Sequence, residues 1–194
     1  RDVTATVDNL SLIAGSIMSK KLAAGADAIV LDVKTGSGAF MKELDDSFEL
    51  AKTMVDIGND MNRETIAVIS NMDQPLGRAV GNALEVKEAI ETLQGKGPED
   101  LYELCLTLGA QMLILAKEAK NESEAKEKLK EVIHNGLALK KLKEFVEQQG
   151  GNSDAVDQPH LLPQAESVIE VKSPQDGFIQ HIEADEVGIS ALLL

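Results

Sequence analysis

The sequence predicts an α/β fold, in which a mostly parallel sheet is covered by helices. Two short, continuous apolar segments, residues 26–33 and 65–70, are typical of strands that are buried on both faces of a parallel sheet. A stretch with helical periodicity separates the two segments, and further helical stretches follow them. Because strands alternate with helices along the chain, the pattern indicates βα units.

The helix before the first strand has recognisable start and stop signals. Apolar residues recur every three or four positions after Asn9, so Asp8 or Asn9 is the expected N-cap. Gly25 is expected to end this helix at about Ala24. Between the two strands, a second helix is predicted from about residue 44 to 61, with Phe48 among its inward-facing side chains.

The chain beyond the second strand is predicted to be helical, and then to change character. A turn-rich segment over residues 71–81 precedes four helices, predicted at about residues 83–93, 99–118, 122–133 and 137–148. After the glycines at 150 and 151, the apolar period becomes two in residues 167–172 and 177–182. These two segments are predicted to be strands of a separate β-rich module.

Composition excludes several classes of function. The net charge of −14 argues against a nucleic-acid backbone as the main partner, and no apolar run approaches the length of a membrane span. The single cysteine, Cys105, rules out an internal disulfide framework and fits a reducing, cytoplasmic environment. Cys105 lies in an apolar helical stretch, so burial is expected. Arg1 is not a natural start, and we expect the sequence to be an excerpt of a longer chain.

One candidate binding site combines Arg1, Ser16 and Lys20. Ser16 and Lys20 are four positions apart on one predicted helix and therefore share a face. A hydroxyl beside an ammonium group could bind a carbonyl-bearing ring or an anion, and Arg1 would add a pair of donors if the chain folds back. From spacing alone, an ordinary solvated helix face is the simpler interpretation.

Two loops offer further candidates. The glycine-rich segment 35–39 follows a strand but lacks the residues of a phosphate-binding loop, so a tight turn is the favoured interpretation. Backbone carbonyls of Leu76 and Ala79, together with the Glu88 carboxylate, are oxygen ligands that suit a hard cation such as potassium, sodium or calcium. A helix cap with a surface glutamate explains that second pattern equally simply. The three histidines show no zinc-binding spacing.

Longer motifs carry a resemblance to a known family. Segments 1–8, 16–25 and 28–41, continued by 74–77 and 79–90, resemble the pyrimidine-nucleoside phosphorylase and thymidine phosphorylase family. The resemblance extends in one register over nearly the whole chain, including residues 159–163.

This resemblance implies reversible phosphorolysis, in which a pyrimidine nucleoside such as uridine, thymidine or deoxyuridine and phosphate give the free base and ribose or deoxyribose 1-phosphate. It implies a helical domain that includes residues 1–23, an α/β domain over residues 24–160, and a linker with the first strands of an α+β domain over residues 161–194. A cytoplasmic homodimer is also implied.

The resemblance assigns roles to individual residues. Arg1, Ser16 and Lys20 match the positions that bind the pyrimidine base. Leu76 and Ala79, by their carbonyls, and Glu88, by its carboxylate, match a potassium site of structural character.

The phosphate-binding motif of the family, Lys-His-Ser-Thr-Gly-Gly, does not occur in this sequence. No catalytic residue is therefore expected in this chain, since such residues are expected upstream, and the isolated chain is expected to be inactive. The alternatives are a non-catalytic fragment with a base-binding or structural role, and another member of the same fold, such as a nucleoside-monophosphate phosphorylase or an anthranilate phosphoribosyltransferase.

Overall fold

A computed structural model describes residues 9–194 of the chain. The helices and strands follow in this order: α1 (Leu10–Ala23), β1 (Ala28–Thr35), α2 (Leu44–Asp60), β2 (Glu64–Asn71), α3 (Asn82–Leu93), α4 (Glu99–Leu115), α5 (Glu122–His134), α6 (Leu137–Gln148), α7 (Asp154–Asp157), a 3-10 turn (Pro159–Leu161) and α8 (Ala184–Leu193).

The sheet of the described residues consists of β1 and β2, which pair in parallel. The register runs from Ala28 opposite Glu64 to Thr35 opposite Asn71. Alternate side chains of β1, namely Ile29, Leu31 and Val33, are buried in the core. The predicted α/β class, with a parallel sheet covered by helices, is confirmed.

The main core lies between the sheet and the first two helices. α1 contributes Ile13 and Met18, and α2 contributes Leu50 and Met54, to one cluster with the buried side chains of β1. The expectation for Phe48 was wrong, because this side chain is 57% exposed. The buried face of α2 includes Ser47 instead. Because consecutive residues on a helix point about 100° apart, Phe48 is turned away from that face.

Both predicted boundaries of α1 are confirmed. The Asn9 side chain accepts a hydrogen bond from the Leu12 N–H at 3.1 Å, which makes Asn9 the N-cap. Gly25 follows the helix with φ of +78°, a left-handed conformation that glycine adopts without steric cost.

The later helices form a second, smaller cluster. α4 packs on β1 and β2, and Ala110 of α4 is buried beside Ala119 and Ala125. Cys105 of α4 is exposed, which corrects the expectation that it is buried, since an apolar helix still has one face away from its neighbours. Partial desolvation nevertheless raises the pKa of the Cys105 thiol, and the nearby Lys34 ammonium opposes this effect.

The two strands predicted near the end of the chain are not formed. Residues 162–183 contain no helix or strand, and Val168, Val171 and Phe178 are at least 90% exposed. A strand exists only with a hydrogen-bonded neighbour, and the described residues provide none for these segments. The domain boundaries at residues 23 and 160 therefore stay predictions. No helix in residues 9–194 is long and apolar enough to cross a membrane.

Candidate functional site

The first group of candidate residues lies on α1. Ser16 and Lys20 are one helical turn apart on this helix, as their spacing predicted. Ser16 is half-buried and Lys20 is exposed. Lys20 forms no ion pair with any residue from 9 to 194, whereas Lys34 is bound to Asp32 at 2.7 Å and to Ser70 at 2.9 Å. Arg1, the third member of this group, lies outside the described residues.

A cavity of about 520 Å³ lies beside β1, and the neighbouring face of α1 lines it. Ile13, Ile17 and Lys21 contribute to the lining, together with residues 30–34 of β1. Ser16 and Lys20 do not line this cavity. The predicted binding face is therefore separate from the apolar groove along the strand.

The second group of candidate residues is brought together around the loop before α3. Glu88 of α3 is buried, and its Oε1 accepts hydrogen bonds from the N–H groups of Arg78, at 2.9 Å, and Ala79, at 3.1 Å. Gly77 has φ of +72°, and a Cβ atom at this position would overlap the Glu88 carboxylate. The loop therefore closes tightly on Glu88 and requires glycine at position 77.

Two more carboxylates hold the same loop. Asp100, in the first turn of α4, accepts a hydrogen bond from the Gly77 N–H at 3.0 Å, and Glu85 accepts one from the Gly81 N–H at 2.9 Å. Sequence reasoning missed both residues. Glu85 lies four positions after the glycine and gives a weak local signal, but Asp100 is 23 positions from Gly77 and gives none.

The oxygen atoms around this loop suit a cation of low charge density. No hydrogen bond from residues 9–194 ends on the carbonyl oxygens of Leu76 or Ala79. The two carbonyl oxygens and the buried Glu88 carboxylate are hard oxygen donors that together carry a single negative charge. The donor types present thus fit a monovalent ion such as potassium.

The glycine-rich loop after β1 is a tight turn, as the sequence favoured. The Ser37 N–H donates to the Asp73 carboxylate and the Gly38 N–H to the Met72 carbonyl, both at 2.9 Å. Gly36 has φ of +119° and lies against Asp73. Because these amides have protein acceptors, they are not available to cradle a phosphate.

Comparison with known proteins gives concordant results. The glycosyl transferase family, a/b domain, matches residues 1–139. Over all 194 residues, the chain is 62% identical to a pyrimidine-nucleoside phosphorylase of Bacillus subtilis, 59% to one of Staphylococcus haemolyticus, and 58% to one of Geobacillus stearothermophilus.

These matches cover different shares of this chain and of its relatives. Each match includes the whole of this chain but 45% of the relative, so the chain spans a little less than half the length of these proteins. The family match covers well over half of the chain, from residue 1 through the region of α1, the sheet, the Glu88 loop and α4. The chain therefore belongs to the glycosyl transferase family, whose a/b domain it carries.

Proposed function

We propose that this chain carries the base-binding part of a pyrimidine-nucleoside phosphorylase. The reaction is the reversible phosphorolysis of uridine, thymidine or deoxyuridine, which yields the free base and the pentose 1-phosphate. The observation that carries the proposal is the identity of 56–62% along the whole chain to proteins of that name. Phosphate is the co-substrate in this proposal.

The chemistry of the α1 face agrees with this role. As the glycosidic bond breaks, negative charge develops on the departing base. Lys20, whose ammonium group makes no ion pair with the described residues, would donate to a carbonyl oxygen of the base. The Ser16 hydroxyl would accept a hydrogen bond from the ring N–H or donate one to a carbonyl oxygen. Donors that strengthen as charge grows stabilise the transition state more than the bound substrate. We assign Arg1 a second carbonyl contact by the same reasoning.

We propose a structural role for a potassium ion at Leu76, Ala79 and Glu88. The ion would neutralise the Glu88 carboxylate and order the loop, and it takes no part in bond breaking. We further propose that the protein is a cytoplasmic homodimer. The groups that bind phosphate and assist bond cleavage are expected in a part of the enzyme that this sequence does not contain, so this chain alone should not turn over substrate.

The test is a substrate panel on the full-length gene product, supplied with potassium. Uridine, thymidine and deoxyuridine are each offered with and without phosphate, and release of the base and formation of the pentose 1-phosphate are followed together. Phosphate-dependent release of uracil or thymine is expected. Activity on a nucleoside monophosphate, or on anthranilate with a phosphoribosyl donor, in place of these nucleosides would contradict the proposal and assign another member of the fold.

A further inference from the structure

Four N–H groups near the end of the loop before α3, within residues 77–81, are bound by carboxylates. Gly77 donates to Asp100, Arg78 and Ala79 donate to Glu88, and Gly81 donates to Glu85. Consecutive N–H groups of this kind form an anion-binding concavity in many proteins. Here the protein's own carboxylates fill it, so the loop presents no amide groups to an external anion at these positions.

The bond from Gly77 to Asp100 also fixes the direction of a carbonyl group. The peptide unit between Leu76 and Gly77 is planar and trans, so its C=O points opposite to its N–H. With the Gly77 N–H directed at Asp100, the Leu76 carbonyl is directed away from that carboxylate. This carbonyl is one of the two that accept no hydrogen bond from the described residues.

Asp100 is itself well placed to hold this bond. It is in the first turn of α4, where the helix N-terminus stabilises a negative charge. Its bond to Gly77 is charge-assisted and therefore stronger than a bond between neutral groups. Glu88, on α3, accepts hydrogen bonds from the next two N–H groups, those of Arg78 and Ala79. The loop is thus anchored to two helices at adjacent peptides.

We propose that Asp100 is a positioning residue for the cation-binding loop, which it serves by aiming the Leu76 carbonyl through the Leu76–Gly77 peptide. This inference rests on the proposed potassium site and deepens it. Asp100 itself contacts neither the ion nor the substrate. Its role predicts that loss of the carboxylate weakens potassium binding without removing any potassium ligand.

The experiment uses limited digestion with trypsin, because Arg78 is exposed and lies in the middle of the loop. The rate of cleavage after Arg78 is measured for the full-length protein in potassium chloride and in choline chloride at equal ionic strength. The variants are Asp100→Asn and, as a control for charge, Glu103→Gln, since Glu103 is exposed on the same helix. Asp100→Glu, which keeps a carboxylate, is the conservative variant, and it should show part of the resistance to cleavage and of the potassium protection of the unchanged protein.

We expect potassium to slow cleavage of the unchanged full-length protein and of Glu103→Gln. Asp100→Asn should be cleaved faster in choline chloride, and should need about three- to tenfold more potassium for half-maximal protection. Circular dichroism of each variant reports whether the helices are retained, and Asp100→Glu provides a second reading if Asp100→Asn does not fold.

Two results would overturn the inference in different ways. If Asp100→Asn is cleaved like the unchanged chain in both salts, Asp100 does not hold the loop. If Asp100→Asn is cleaved faster but potassium protects neither chain, Asp100 holds the loop for a reason unrelated to a cation. The second result would remove the ion, whereas the phosphorolysis proposal is decided separately by base release from the full-length protein.

Discussion

The face of α1 and the loop before α3 differ in what their polar side chains do. On α1, Ser16 and Lys20 stand on a helix that is held by its apolar side and by its Asn9 cap. Around the loop, Glu88, Glu85 and Asp100 are themselves what holds the backbone. A binding residue on a preformed helix is dispensable for folding, whereas a residue that folds its own loop is not. Substitutions on the face of α1 should therefore reduce activity without loss of stability, whereas substitutions around the loop should reduce stability.

The largest effect is expected from Lys20→Ala in the full-length enzyme. Removal of a cationic donor from the site of developing charge should lower kcat/KM for uridine by about 100-fold, with no change in Tm. Lys21→Ala is the matched control, because Lys21 is the adjacent lysine on the same helix and points to a different face. Steady-state kinetics and thermal unfolding of the same samples provide both values. An equal decrease in kcat/KM for Lys20→Ala and Lys21→Ala would contradict the assignment of the binding face.

The next largest effect is expected from Glu88→Ala, and it should appear in stability. Removal of the buried carboxylate leaves two loop N–H groups without their acceptor, at a cost of about 2–3 kcal/mol. For a chain of this size, this loss corresponds to a decrease in Tm of about 4–12 °C.

Two variants control that prediction. Glu88→Gln keeps an acceptor oxygen and should lose about half as much stability. Lys87→Ala, at an exposed neighbouring position, should leave Tm unchanged. If Glu88→Ala unfolds at the same temperature as the unchanged chain, the carboxylate does not hold the loop.

The contrast between the two regions also explains what could be predicted from the sequence. The shared face of Ser16 and Lys20 follows from helical periodicity, and the Asn9 cap and Gly25 stop follow from local residue chemistry. The grouping of Glu88 with the loop that precedes α3 followed from their oxygen-donor chemistry and was strengthened by the family motif, and the structure places Glu88 against residues 77–79. Asp100 was missed because its contact depends on how α4 packs, which no local pattern encodes.

The same reasoning accounts for the errors. Phe48 fits the apolar periodicity of α2, but the side that faces the sheet is set by tertiary packing, which buries Ser47 instead. The alternating segments near residues 168 and 179 have the period of strands, but periodicity cannot supply a hydrogen-bonded neighbour. Cys105 shows the same limit, because an apolar helix does not reveal which of its faces is covered.

A smaller effect is expected at the start of α1. Asn9→Ala removes the side chain that accepts the Leu12 N–H, which should cost about 1 kcal/mol of unfolding free energy. Chemical denaturation measures this value, with Ser11→Ala, an exposed neighbour, as the control. A loss equal to that of Glu88→Ala would remove the distinction between the two regions.

The smallest effect on stability is expected from the pair His181 and Glu183, in the segment that precedes α8. This segment contributes little to the α1 face or to the loop before α3. Glu183 bonds His181 at 2.6 Å and, with a smaller contribution from Asp73, raises the pKa of the histidine above its ordinary value of 6.5. Since the folded-state pKa is raised, the pair stabilises the fold below pH 6.5 and loses this effect as the pH rises through the folded-state pKa.

An NMR titration of His181 measures this pKa directly. Glu183→Gln should move its midpoint to lower pH. An unchanged midpoint would show that the contact with Glu183 does not persist in solution.

The most direct test of the binding face is a calorimetric titration of uracil into the full-length protein and its Lys20→Ala and Lys21→Ala variants. We predict that the unchanged protein and Lys21→Ala bind uracil alike, and that Lys20→Ala binds it at least about tenfold more weakly while remaining folded. If folded Lys20→Ala binds uracil as tightly as the unchanged protein, the base does not bind at this face of α1.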